Sequence, residues 1–251
     1  MLSLLCALLL GTTGAAPLSS APDTTDAASP PDAEERSVYV DPVSWHVRDG
    51  ADGTAEDLLL LTIDDGPRPD TTPDLLELLE AHDVPALFFI NGEPAATHPE
   101  LIHAILEDGH AIGNHTWSHA NLAELPADSA RHEIVAVNEW LQEEADHTPT
   151  YFRPPYGVSS PAVDSVVRAE EMEPMGWSAE SYDWLYEDES DTMREDAEAI
   201  AERTLESLTN GNILLIHDRP VAVEALEIIL NALAEDEVEF VLPDEAGAGM
   251  P

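Results

Sequence analysis

The chain has 251 residues, 43% of them apolar, enough for one large domain with a real core. It carries 52 acidic residues against nine Arg and no Lys, a formal net charge of −43. No basic patch can be assembled from such a chain, which excludes nucleic acid as a partner, and nothing in the sequence indicates a protein partner. An apolar run, Leu4 to Leu10, followed by Gly14-Ala15-Ala16-Pro17, resembles a signal peptide without a basic n-region. It is too short to span a bilayer, which needs about 20 residues. Residues 1–16 are therefore expected to direct the protein out of the cytoplasm, either secreted or anchored at the cell surface. Cys6, the sole cysteine, excludes an intramolecular disulfide and is a candidate for lipid attachment. Residues 17–54 read as an acidic Pro/Ser/Thr linker and lead-in. Residues 55–245 read as the folded domain, and 246–251 as a tail.

From residue 57, short apolar runs alternate with amphipathic stretches. The pattern predicts strands over 57–63, 85–90, 111–114, 149–153, 173–177, 212–216 and 237–241. It predicts helices over 72–82, 97–108, 127–145, 160–170, 194–208 and 220–234. Thr72-Pro73 and His98-Pro99 place proline in a first turn. This α/β alternation with short connections implies parallel strands covered by helices. Seven such strands suggest a distorted barrel; an open doubly wound sheet is the competing arrangement. No glycine-rich phosphate loop follows a strand, so nucleotide binding has no support.

Every chemically distinctive segment lies just after a predicted strand, where barrel enzymes place reactive residues. Asp64-Asp65 is the sole Asp-Asp pair and is followed by Gly66-Pro67. Two adjacent carboxylates repel, and a metal ion resolves the conflict: one carboxylate binds it while the other acts as a base. His115 and His119, four apart, can face one metal and, with a nearby carboxylate, complete a three-ligand site that leaves a position for water. Arg153-Pro154-Pro155-Tyr156-Gly157 sets a scarce cation on a stiff turn. Trp177 to Trp184 is an aromatic loop; Trp177 reads as core packing and Trp184 as a sugar-binding wall. Leu215-Ile216-His217 ends a strand with a His suited to acid catalysis.

In this order, these segments resemble the five motifs of the polysaccharide deacetylase family, the NodB-homology domain of carbohydrate esterase family 4. Thr62-Ile63-Asp64-Asp65-Gly66 is similar to the first, with Ile63 replacing a packing aromatic. His115 and His119, Arg153-Pro154-Pro155-Tyr156 and Leu215-Ile216-His217 match the second, third and fifth. The fourth, of the Asp-x-x-Asp-Trp type, reads Glu180-Ser181-Tyr182-Asp183-Trp184, with Glu in place of the first acid.

The resemblance implies a distorted (β/α) barrel and a metal-dependent hydrolase that removes acetyl groups from N- or O-acetylated carbohydrate. Metal-bound water would attack with an Asp base and a His acid. Asp65, His115 and His119 would bind one divalent ion, Zn2+ first and Co2+, Ni2+ or Fe2+ as alternatives. Asp64 would be the base and His217 the acid. Arg153 would orient Asp64, and Asp183 would hold His217. The Tyr156 backbone N–H would bind the oxyanion, and Trp184 and Leu215 would shape the acetyl pocket. A small-amide hydrolase and a non-catalytic glycan-binding protein are the competing readings. The charge bias resembles that of extreme halophiles.

Overall fold

The structure, a computed structural model, describes residues 37–244 apart from 51, 56, 189–191 and 237. The signal-like segment, Cys6, most of the acidic linker and the 246–251 tail lie outside the described residues. A short antiparallel hairpin comes first: β1 (Val38–Asp41) pairs with β2 (His46–Asp49). The expected lead-in thus contains a hairpin that the apolar pattern did not mark.

The domain then alternates strand and helix. β3 (Leu58–Asp64), α1 (Thr72–His82), β4 (Ala86–Ile90), α2 (Gly92–Thr97), α3 (Pro99–Glu107) and β5 (Ala111–Asn114) form its first half. α4 (Ala127–Ala145), β6 (Tyr151–Phe152), α5 (Pro161–Ala169), β7 (Glu173–Pro174) and β8 (Ala179–Glu180) follow. α6 (Met193–Ser207), β9 (Ile213–His217), α7 (Pro220–Leu233) and β10 (Glu239–Phe240) complete it. Three of the helices show the local causes plainly. Pro73 occupies the first turn of α1, where its missing N–H costs nothing. Ser160 caps α5 by accepting from the Val163 N–H at 3.4 Å. α4 buries Ala130, Ile134, Val137 and Leu141, one stripe at helical spacing. Among the described residues, no helix is long and apolar enough to cross a membrane.

The strands run parallel in the order β7-β6-β5-β4-β3-β9-β8, and β10 adds to the start of β3. Strand β9 returns beside β3 and β8 beside β9. That is the circular order of a barrel left open between β7 and β8, the expected distorted barrel, with seven helices around it among the described residues; a doubly wound sheet would reverse direction. The expected strand over 173–177 is shorter, and its continuation is a separate strand, β8, that crosses to the β9 side. Side-chain alternation builds two apolar layers. Leu58, Leu60, Leu87, Phe89, Met175 and Ile213 fill the interior with hairpin residues Val38 and Val47. Leu61, Ile63, Phe88, Ile90, Leu214 and Ile216 pack outward against the helices. Truncating any of these fully buried Leu or Ile side chains costs about 2–5 kcal/mol.

Candidate active site

The same alternation that points Leu58 and Leu60 inward carries Thr62 and Asp64 to the inner face. On β9 it does the same for Leu215 and His217. The register pairs Asp64 with His217, so the two strand ends meet. Of the ten described non-glycine residues at positive φ, five lie in the loops above: Asp65 (72°), Thr116 (73°), His119 (57°), Tyr156 (60°) and Tyr182 (56°). Such backbone is costly for non-glycine residues and tends to gather at functional sites.

Asp64 is buried and accepts from Arg153 Nη1 at 2.7 Å. Arg153 has no solvent exposure. It also donates to Thr62 Oγ1 (2.8 Å) and to the carbonyls of Met175 (3.2 Å) and Gly176 (2.9 Å), and its guanidinium stacks 4.2 Å over Phe89. Burial lowers its pKa from the usual arginine value, and the Asp64 charge opposes that shift. These bonds fix Arg153, and Arg153 fixes Asp64.

Asp65 turns away to meet the histidines. Its Oδ1 lies 3.4 Å from His115 Nε2 and 3.1 Å from His119 Nε2, and one ligand atom from each of the three residues falls within 4.8 Å of the others. Yet Asp65 Oδ1 is buried without a well-formed hydrogen bond. The His115 tautomer supplies the reason. Its Nδ1 lies 2.7 Å from the Arg153 backbone carbonyl, which can only accept, so Nδ1 carries the proton and Nε2 presents a lone pair. Burial would raise the Asp65 pKa, and only protonated imidazoles or a bound cation would bring it below the usual carboxylate range. A carboxylate oxygen and an imidazole lone pair facing each other at 3.4 Å call for a cation between them. The donor set of two imidazoles and one carboxylate fits a divalent transition ion.

Across the cavity, His217 Nδ1 donates to Asp183 Oδ1 at 2.6 Å, and the His217 backbone N–H donates to Asp183 Oδ2 at 2.7 Å. Asp183 is fully buried. Burial alone would lower the His217 pKa, but the hydrogen bond and charge of Asp183, with Asp64 and Asp65 beyond, raise it to about 9.

Asp64, Asp65, His115, His119 and His217 line one cavity of about 560 Å³ together with Tyr156, Trp177, Trp184 and Leu215, and the buried Arg153 and Asp183 reach it through Asp64 and His217. Tyr156 and Trp184 are exposed, and the Tyr156 ring meets His119 edge-on at 4.8 Å. Trp177, expected as core packing, is half-buried and faces the cavity as well as the interior. All ten expected site residues, from Asp64 to His217, thus gather at one end of the barrel.

Two further residues of the site, Glu180 and Asp218, have no role assigned from the sequence. Glu180 accepts from both tryptophans, Trp184 Nε1 at 2.8 Å and Trp177 Nε1 at 3.2 Å. Asp218 is buried, accepts from the Thr71 and Thr72 hydroxyls, and donates its backbone N–H to the Asp64 carbonyl at 2.9 Å. Burial raises its pKa against those hydrogen bonds. A Cβ on Gly66 would meet Asp218 Oδ2 at 2.6 Å, so this glycine is required by close approach. Asp218 directly follows His217, and a carboxylate next to a candidate acid was the available signal.

Residues 51–175 match the family model described as polysaccharide deacetylase. The chain is 32% identical over 189 residues to a peptidoglycan-N-acetylglucosamine deacetylase of Listeria monocytogenes, covering 74% of this chain and 38% of that protein. It therefore spans well under half the length of that relative. It is 31% identical over 167 residues to a chitooligosaccharide deacetylase of Sinorhizobium fredii, covering 66% of this chain and 74% of that one. Among solved structures, a family 4 carbohydrate esterase from Streptomyces lividans in complex with acetate superposes with a TM-score of 0.68 at 27% identity. The match covers 78% of this chain and 97% of that one. None of these comparisons supports the halophilic reading of the charge.

Proposed function

The chain belongs to the polysaccharide deacetylase family, and from that premise we propose that it hydrolyses the acetamide of N-acetylglucosamine units in a glycan outside the cytoplasm. Peptidoglycan and chitooligosaccharides, on which the relatives are named as acting, are the substrate class. The observation that carries this reading is the convergence of Asp65, His115 and His119, with Asp64 and His217 on neighbouring strand ends.

Asp65, His115 and His119 would hold one divalent ion, Zn2+ by preference. When bound, it would supply Lewis acidity, acidifying a water and polarising the acetyl carbonyl. Asp64, held in place by Arg153, takes a proton from the attacking water. The water oxygen adds to the acetyl carbon, and the Tyr156 backbone N–H donates to the oxygen that becomes negative. His217 delivers its proton to the departing nitrogen as the C–N bond breaks, leaving acetate and a free amine. Asp183 keeps His217 protonated at neutral pH and fixes Nε2 as the end that faces substrate. Leu215 and Trp184 enclose the acetyl methyl.

Acetate release from chitooligosaccharides and from peptidoglycan fragments by the Zn2+-loaded protein tests the reading. Release from N-acetylated glycans is the expected result. Turnover of small amides alone would favour an amidohydrolase, and glycan binding without release would favour a binding protein.

A further inference from the structure

We infer that Glu180 is the positioning residue of the aromatic wall, holding the two indoles with one carboxylate before substrate arrives; the inference rests on the proposed deacetylase reading. Trp184 is 53% exposed, donates to Glu180 and lies tilted to the Tyr182 ring at 6.5 Å. An indole exposed over half its surface samples several rotamers unless something ties it. Glu180 is that tie. Its other oxygen holds Trp177, whose opposite edge is pressed against Gly157, where a Cβ would come within 2.9 Å. Trp177 also stacks against the Arg153 guanidinium at 5.5 Å. Glu180 is therefore anchored on the more buried indole and holds the more exposed one.

The chemistry requires a glutamate. An ionised carboxylate offers two acceptor oxygens to two indole N–H groups, and bonds to a charged acceptor are the stronger kind. Gln offers one oxygen and would turn an NH2 group toward the other indole. Asp, the acid of the related motif, is one methylene shorter and cannot span both rings from the same strand position. The departure of this chain from the motif thus has a function: the longer side chain fixes the wall of the acetyl pocket. A wall fixed in advance costs less ordering when substrate binds.

The test combines kinetics with a signal that needs no turnover. In Glu180→Ala, KM for chitotetraose is expected to rise about tenfold with kcat changed less than about threefold. Glu180→Gln is expected to fall between. In a Trp184→Phe background, which lacks the indole N–H, Glu180→Ala is expected to add less than about twofold, because its partner is already gone. The near-UV circular dichroism of the tryptophans is expected to weaken in Glu180→Ala and Glu180→Gln at unchanged far-UV signal. Equal effects of Glu180→Ala in both backgrounds, or an unchanged near-UV spectrum, would overturn the inference. Absence of acetate release by the wild type would overturn the deacetylase reading, while the spectra would still decide the role of Glu180.

Discussion

Arg153 Nη1 donates to Asp64 Oδ1 at 2.7 Å, and the two side chains are 0% and 3% exposed. A buried ion pair is costly to break by removing one partner, because the other charge is left unpaired; the typical loss is about 3–5 kcal/mol. Arg153→Met should therefore lower the thermal midpoint by several degrees. Asp64→Asn keeps an oxygen for Arg153 and leaves the three metal-facing residues intact. It should bind metal normally, fold with reduced stability, and lose about 10²–10⁴-fold in kcat. Near-normal turnover, or loss of metal, in Asp64→Asn would reverse the division of labour between the two aspartates.

The metal assignment rests on Asp65 Oδ1 and the two Nε2 atoms that surround it. One divalent ion per chain is expected in the purified protein. His119→Ala should lose it, since two ligands do not hold a site built for three. Atomic absorption after dialysis against chelator and reloading with Zn2+ decides the point; a stoichiometric ion in His119→Ala would refute the site.

The His217 pKa, raised to about 9, fixes the sign of two pH effects. In the proposed mechanism the acid form protonates the leaving amine, so kcat should fall on the alkaline side, through about pH 9. Asp183→Asn removes the charge that raises that pKa and should move the fall toward neutrality. Stability follows the same group. The folded pKa lies above the unfolded value of about 6.5. Its contribution is therefore fully present below about pH 6.5 and lost as pH rises through about 9. Urea titrations at pH 6 and pH 9.5 should show the difference in wild type and a smaller one in Asp183→Asn.

Charge alone predicts the response to salt. At −43, repulsion is stronger in the compact state than in the expanded chain. The screening length falls from about 30 Å at 0.01 M salt to about 3 Å at 1 M. The melting midpoint of the metal-loaded protein should rise between 0.05 M and 3 M KCl. A flat or falling midpoint would show that the acidic surface carries little net strain.

What the sequence determined, it determined through local pattern. The apolar run ending at Asp64-Asp65 names a buried strand and its reactive end, because side-chain alternation follows from the backbone itself. Pro73 and Ser160 mark helix starts for equally local reasons. The order of the motif segments was enough to anticipate the barrel and the residues that gather at one end of it.

Tertiary structure decided the rest. Strand β8 and the β1-β2 hairpin are held by pairing and packing with distant partners, and segments of two to four residues carry no period of their own. The tautomer of His115 is set by a carbonyl 38 residues away. Glu180 stands in the sequence as a departure from the fourth motif with no role attached, and only the fold turns the indoles of Trp177 and Trp184 toward it. The physical reason is common to all of these. A hydrogen bond between groups far apart in the chain leaves no trace in the spacing of either, and it exists only once the barrel has closed the distance.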